Sequence, residues 1–309
     1  MEADDQGVLL EVFGRIVKTG PSHLTGLLDI YILTPEILEL LSDIYFPTLR
    51  NCIIPLSDST GSFLRLHPNI IRLVVFNESL PSFDMPFFLT TPSVVLPNLV
   101  AFMGPHTVAP VLLGSQTVHV SVPYDPQSAH PYLPVISVLG NCVPSLVTLV
   151  NIVMQWDSVL PVAIAAHLPA LSSVKIRRIS SPDAEDNLPE FLWSLDDMIR
   201  ALPNLILLHI VLDSPDTSGG HASEFEHVRR WGDISLTFRH ALLPSGTIWT
   251  CPAHNIWCPG HADAADWLVK EVLCSTSLPP KSLKALEALL GKEQLAEYSA
   301  FHDLNRDRG

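Results

Sequence analysis

The sequence predicts an α/β solenoid of stacked repeats, with a curved parallel sheet, helices on the outer face and a C-terminal cap. Three observations predict it. A short proline-centred motif recurs along the chain. A strand-like apolar run follows each copy, and segments with helical patterning precede several of them.

The motif is an apolar residue or His, then Pro, a small or polar residue, and Leu or Ile. Its copies are Phe46-Pro47-Thr48-Leu49, His67-Pro68-Asn69-Ile70, Leu96-Pro97-Asn98-Leu99, Val143-Pro144-Ser145-Leu146, Leu168-Pro169-Ala170-Leu171 and Leu202-Pro203-Asn204-Leu205. Successive prolines are 21, 29, 47, 25 and 34 residues apart. Proline fixes φ and cannot continue a helix, so the chain turns there, and the small polar residue suits the turn. The 47-residue gap contains Thr117-Val118-His119-Val120-Ser121-Val122. That run alternates like a strand and reads as a degenerate repeat lacking its proline.

The strands come next in the reading. Ile71, Leu73 and Val75 alternate with Arg72 and Val74, and Leu205, Leu207 and His209 with Ile206, Leu208 and Ile210. Period two places each set on one face, and a slip of one residue reverses every assignment. Arg72, Val74, Val120, Lys175, Ile206 and Leu208 are the first choice for the outward set. Helices are expected over 35–45, 159–167 and 188–201, the last with Leu195, Met198 and Ile199 on one face. Thr34-Pro35-Glu36 supplies an N-cap, a proline at the first helical position and an acid in the first turn. Periods of this length with one strand per unit fit a leucine-rich-repeat-like architecture.

Composition narrows the function. Only 16% of the residues are charged and 47% are hydrophobic, in a chain of 309 residues. Ample apolar content argues against disorder. The formal net charge is −14, and the densest basic spot is Lys175, Arg177 and Arg178. Such a chain is repelled by phosphate backbones and anionic membranes, so nucleic acid is not an expected partner. Lys and Arg are absent between Arg72 and Lys175, but repeated prolines break that stretch, which argues against a membrane span. The five cysteines are odd in number, and the N-terminus has no basic start or apolar run. Reduced thiols in the cytoplasm or nucleus are therefore expected.

Catalytic signatures are missing. There is no Gly-x-Gly-x-x-Gly, phosphate loop, Gly-x-Ser-x-Gly or His-Glu-x-x-His. His67, His119, His167 and His209 recur near strands or prolines, where a packing or turn role is expected. Cys251, His254, Cys258 and His261 have the spacing C-x2-H-x3-C-x2-H. Thiolate and imidazole are zinc's preferred ligands, and four would close a tetrahedral site. The three-residue linker is short for that, and a capping loop is the expected role. No catalytic residue, cofactor or metal is expected, and the chain is not expected to be an enzyme.

Leu96-Pro97-Asn98-Leu99-Val100-Ala101-Phe102-Met103-Gly104-Pro105 resembles the LPxLxxFxGP signature of leucine-rich-repeat-like F-box proteins of mushroom-forming fungi. Gly246-Thr247-Ile248-Trp249 and Asn255-Ile256-Trp257-Cys258-Pro259 resemble the family's closing GxxW…xxWxP segment. Gln116-Thr117 stands where the family has Arg-Pro. The likeness covers residues 30–260. It implies a protein-binding adaptor that presents targets to a ubiquitin ligase. Thr34-Pro35-Glu36-Ile37-Leu38 echoes the F-box opening, but the F-box itself is not evident, which leaves a stand-alone interaction scaffold as the alternative. The expected organisation is a solenoid over residues 1–250. A capping loop and amphipathic helical tail follow over 251–309, where Leu283, Leu286 and Leu290 keep helical spacing.

Overall fold

The computed structural model describes residues 27–76, 94–105, 108, 116–124, 130–179, 187–213, 220–253 and 256–260. The chain is α/β, and its sheet is mostly parallel, with strands following in chain order. It divides into two compact units. The first comprises residues 1–154 and 166–171, and the second residues 155–165 and 172–309. Among the described residues no helix is long and apolar enough to cross a membrane.

The first unit contains β1 (Asp29–Tyr31), α1 (Pro35–Leu41), β2 (Asn51–Pro55), α2 (Thr60–Leu66), β3 (Arg72–Phe76), β4 (Ala101–Met103), β5 (His119–Pro123), α3 (Tyr132–Cys142) and β6 (Thr148–Val153). Each of its strands pairs in parallel with the next. The residues of α4 (Val159–His167) are divided between the two units. The second unit holds β7 (Ser173–Arg178), α5 (Leu188–Ala201), β8 (Leu207–Leu212), α6 (Gly220–Ile234), β9 (His240–Leu242), β10 (Ile248–Ala253) and β11 (Ile256–Pro259). The β7–β8 and β8–β9 pairs are parallel, and β10 runs antiparallel to both β9 and β11.

All six proline motifs build the same turn. The backbone N–H of the fourth residue donates to the carbonyl of the first, at 3.1–3.3 Å, in Leu49, Ile70, Leu99, Leu146, Leu171 and Leu205. Proline's fixed φ is pre-set for the second position of such a turn. The fourth residue is buried in every copy, as is the first. Each such leucine contributes about 1.5–3 kcal/mol by leaving water. In several copies the side chain of the third residue ties its turn to the segment before it. Asn69 Nδ2 donates to the Pro47 carbonyl at 3.5 Å, Asn98 Nδ2 to Asn69 Oδ1 at 3.5 Å and Ser145 Oγ to the Thr117 carbonyl at 2.9 Å. The strand expected over 117–122 is present as β5. β5 lies in register between β4 and β6, and buried Thr117 donates to the Leu99 carbonyl at 3.0 Å in place of a turn.

A second feature recurs where strands begin. Two successive N–H groups donate to one carbonyl of the preceding strand region. Arg50 and Asn51 share Leu28 O, Ile71 and Arg72 share Arg50 O, and Val100 and Ala101 share Ile71 O. Val118 and His119, Val147 and Thr148, Ile206 and Leu207, and Arg239 and His240 repeat the arrangement. Two consecutive residues therefore point away from the core before alternation resumes, as in a β-bulge.

That extra residue corrects two expectations. Val120 and Leu208 are fully buried rather than outward, whereas Arg72 and Ile206 are exposed and Val74 and Lys175 half-exposed. Simple alternation carried Ile206 and Leu208 to the same face. The shared carbonyl puts Ile206 and Leu207 outside and turns Leu208 in.

The helices follow their sequence signals closely. α4 and α5 have the expected bounds, and Leu195, Met198 and Ile199 are buried. In α1, Thr34 is at the N-cap and Pro35 at the first position, but the threonine side chain makes no capping bond. α1 ends at Leu41, short of the expected Tyr45, where Ser42 Oγ bonds back to the Glu39 carbonyl at 2.8 Å. A serine that competes for the backbone in this way favours termination.

Gly104, in the signature segment, is buried where the chain leaves β4. A Cβ there would fall 2.9 Å from both the Val75 carbonyl oxygen and the Phe102 ring. Glycine is required by this close backbone approach. In the closing segment Gly246 has φ of 84°, which lets the β9–β10 turn close.

Candidate functional site

The exposed face of the sheet carries residues in straight rows, because parallel register aligns them strand by strand. In the first unit one row runs Asp29, Asn51, Arg72, Ala101, His119, Thr148. The next runs Tyr31, Ile53, Val74, Met103, Ser121, Val150, of which Ser121 is buried. The first row is mainly polar and the second mainly apolar, with Tyr31 and Met103 well exposed. Asn51 Nδ2 donates to Asp29 Oδ1 along the first row.

The second unit differs in charge. Ser173, Leu207, His240 and Thr250 form one row, and Lys175, His209, Leu242 and Ile248 the next. Arg177 follows on β7 and pairs with Asp213 at 2.8 Å. Burial lowers the pKa of His209, with Lys175 and His240 adding to the effect by repulsion. The three cationic or titratable groups therefore share one field. Among the described residues no acid pairs with half-exposed Lys175; Arg178 is buried near Trp156, its guanidinium 5.8 Å from the ring centre.

The helical side of the second unit holds the polar interactions that sequence reading missed. Asp196 on α5 accepts the Trp231 indole N–H at 2.9 Å and pairs with Arg230 at 2.8 Å. The Arg230 guanidinium sits 3.6 Å above the exposed Trp193 ring. Glu224 on α6 is buried and accepts from the Ser245 N–H, the Ser245 hydroxyl and the Trp249 indole. Neither carboxylate carries a local sequence signal of such a role. Tryptophans at 231, 249 and 257 were the sole hint, since a buried indole N–H needs an acceptor.

Histidines occupy different settings. His67 is buried, stacked on Phe46 and close to Phe63. Its Nε2 accepts the Phe46 N–H at 3.0 Å, and its Nδ1 lies 2.6 Å from the Phe63 carbonyl, which requires a proton on Nδ1. Burial lowers its pKa. Both nitrogens are engaged by backbone, so the expected packing role holds for His67. His167 is exposed, and His119 and His209 stand half-buried on the outward face.

Of the four residues with zinc-like spacing, Cys251 is buried on β10 and Cys258 half-buried on β11. His254 and His261 lie outside the described residues, as does the tail from 261 to 309. Cys52, Cys251 and Cys258 are free thiols. Burial, with Cys251 nearby, pushes the Cys258 thiol up to about 12. Among the described residues no group of three or more His, Cys, Asp or Glu is placed to hold a metal. A cleft of about 150 Å³ is lined by Trp156, Asp157, Ser158, Asn187, Glu190 and Phe191.

No protein-family model matches the chain. No curated protein matches it either.

Proposed function

We propose that the chain is a leucine-rich-repeat-like solenoid that binds a partner protein through its exposed sheet face and has no catalytic activity. We infer the F-box type of adaptor, which presents targets to a ubiquitin ligase. The observation that carries the repeat reading is the identical construction of the six proline turns, with a shared-carbonyl strand start after five of them. Stacked units of this kind offer wide surfaces of shallow contacts suited to proteins. The ligase link rests on the resemblance of residues 96–105 and 246–259 to that family. Buried Phe102, Trp249 and Trp257 and the crowded Gly104 give those motif positions a packing reason.

A stand-alone scaffold is favoured by one observation. Residues 34–41, the echo of an F-box opening, form α1, whose Leu38 and Leu41 are buried within the first repeat unit. Affinity capture from native lysate with mass spectrometry separates the readings. Recovery of a ligase adaptor and cullin supports the adaptor. A stoichiometric partner without them supports the scaffold, and no captured protein at all counts against both.

A further inference from the structure

The exposed sheet face of the second unit places an uncompensated lysine beside two imidazoles, in a chain whose net charge is −14. Lys175 on β7 stands directly beside His209 on β8, and His240 on β9 lies diagonally across from His209. Adjacent strands are about 4.8 Å apart, so both neighbours fall within about a Debye length, roughly 8 Å, of His209. Asp213 is committed to Arg177. Among the described residues no carboxylate pairs with Lys175, His209 or His240. Leu207 and Leu242, half-buried in the same two rows, put apolar surface between these groups.

We propose that this face docks an acidic segment of a partner protein, with carboxylates seated among Lys175, His209 and His240 and an apolar side chain against Leu207 and Leu242. The proposal rests on the protein-binding reading and names the chemistry of the partner. Charge complementarity argues for it: Lys175 is a cation with no carboxylate paired to it among the described residues, the neighbouring imidazole N–H groups can donate to carboxylates, and such complementarity sets specificity and steers association. A nucleic acid would bring negative charge too, but its dense phosphates meet the field of a chain with net charge −14, which repels them. An acidic peptide is short enough to engage the patch alone.

The test uses the full chain and fluorescence anisotropy. The probes are a labelled Glu-rich peptide with interspersed leucines, its Lys-for-Glu counterpart, and a single-stranded oligodeoxynucleotide of the same charge. The expected result is binding of the Glu peptide alone. Lys175→Glu with His209→Glu should weaken it about tenfold, while Arg65→Glu, exposed on α2, leaves it unchanged. Lys175→Gln removes the charge with little perturbation of the fold and should cost about two- to fivefold. Failure of the native chain to bind the Glu peptide overturns the proposal, as does equal binding by Lys175→Gln. Tighter binding of the oligonucleotide overturns the choice of a peptide. Lysate partners captured equally by the native chain and Lys175→Gln sink this face and leave the protein-binding reading intact. If the native chain captures no partner and no peptide, both fall.

Discussion

Glu224 on α6 accepts the indole N–H of Trp249 on β10 at 3.0 Å, joining two residues 25 positions apart. The same carboxylate takes the Ser245 N–H at 3.0 Å and hydroxyl at 2.8 Å. One side chain thus fixes a helix, a turn and a strand of the second unit. Glu224→Gln keeps the shape but turns an amide NH2 toward groups that donate. It should lower stability by about 1–3 kcal/mol, read as a reduced urea midpoint with an unchanged slope. An unchanged midpoint would mean the carboxylate is not needed there.

His67 makes stability depend on pH. Its folded pKa is lowered, so below the unfolded value of about 6.5 the unfolded chain takes up a proton that the folded one refuses. The contribution is complete above about pH 6.5 and is lost as pH falls from there toward the folded pKa. His119, His209 and His227 are shifted in the same direction. Urea midpoints should therefore fall between pH 7.5 and 5.5. His67→Phe should be less stable at pH 7.5, because the Phe46 N–H loses its acceptor, and should show a shallower decline with pH.

Gly104→Ala tests the close approach at the end of β4. The obstacle is partly the Val75 carbonyl, which as backbone cannot swing aside. A loss of about 1–3 kcal/mol is expected in thermal or urea unfolding. Neutral behaviour would show that the signature glycine answers to something other than packing.

The proline turns predict a contrast within one motif. Leu205 is fully buried, and Leu205→Ala should cost about 2–5 kcal/mol. Pro203→Ala leaves the Leu205-to-Leu202 turn bond in place and should cost about 1 kcal/mol or less, acting mainly through the unfolded chain. Equal costs would overturn this division between leucine and proline.

Cys258 should be slow to alkylate. Its thiol is pushed up to about 12, so little thiolate exists at pH 8. Iodoacetamide labelling followed by mass spectrometry should show slow modification in the native chain and rapid modification after denaturation. Native mass spectrometry of the same sample should show no metal that a chelator removes.

The sequence by itself determined the repeat. Proline leaves few conformations open to the chain, and Leu or Ile two residues later has to be buried, so both the turns and the strands after them were legible in local order. Even the copy without proline was readable from the alternation of 117–122. The bounds of α4 and α5 followed from apolar spacing in the same way. The facing of Val120 and Leu208 was decided only by the tertiary structure. Two N–H groups on one neighbouring carbonyl insert a residue at the start of β5 and of β8, and that carbonyl belongs to a different strand region. Asp196 and Glu224 escaped for a related reason. A carboxylate acquires meaning when folding brings a distant indole N–H within 3.0 Å of it, and nothing in its own sequence neighbourhood records the partner. The grouping of Lys175, His209 and His240 likewise exists only once three strands stand side by side in register.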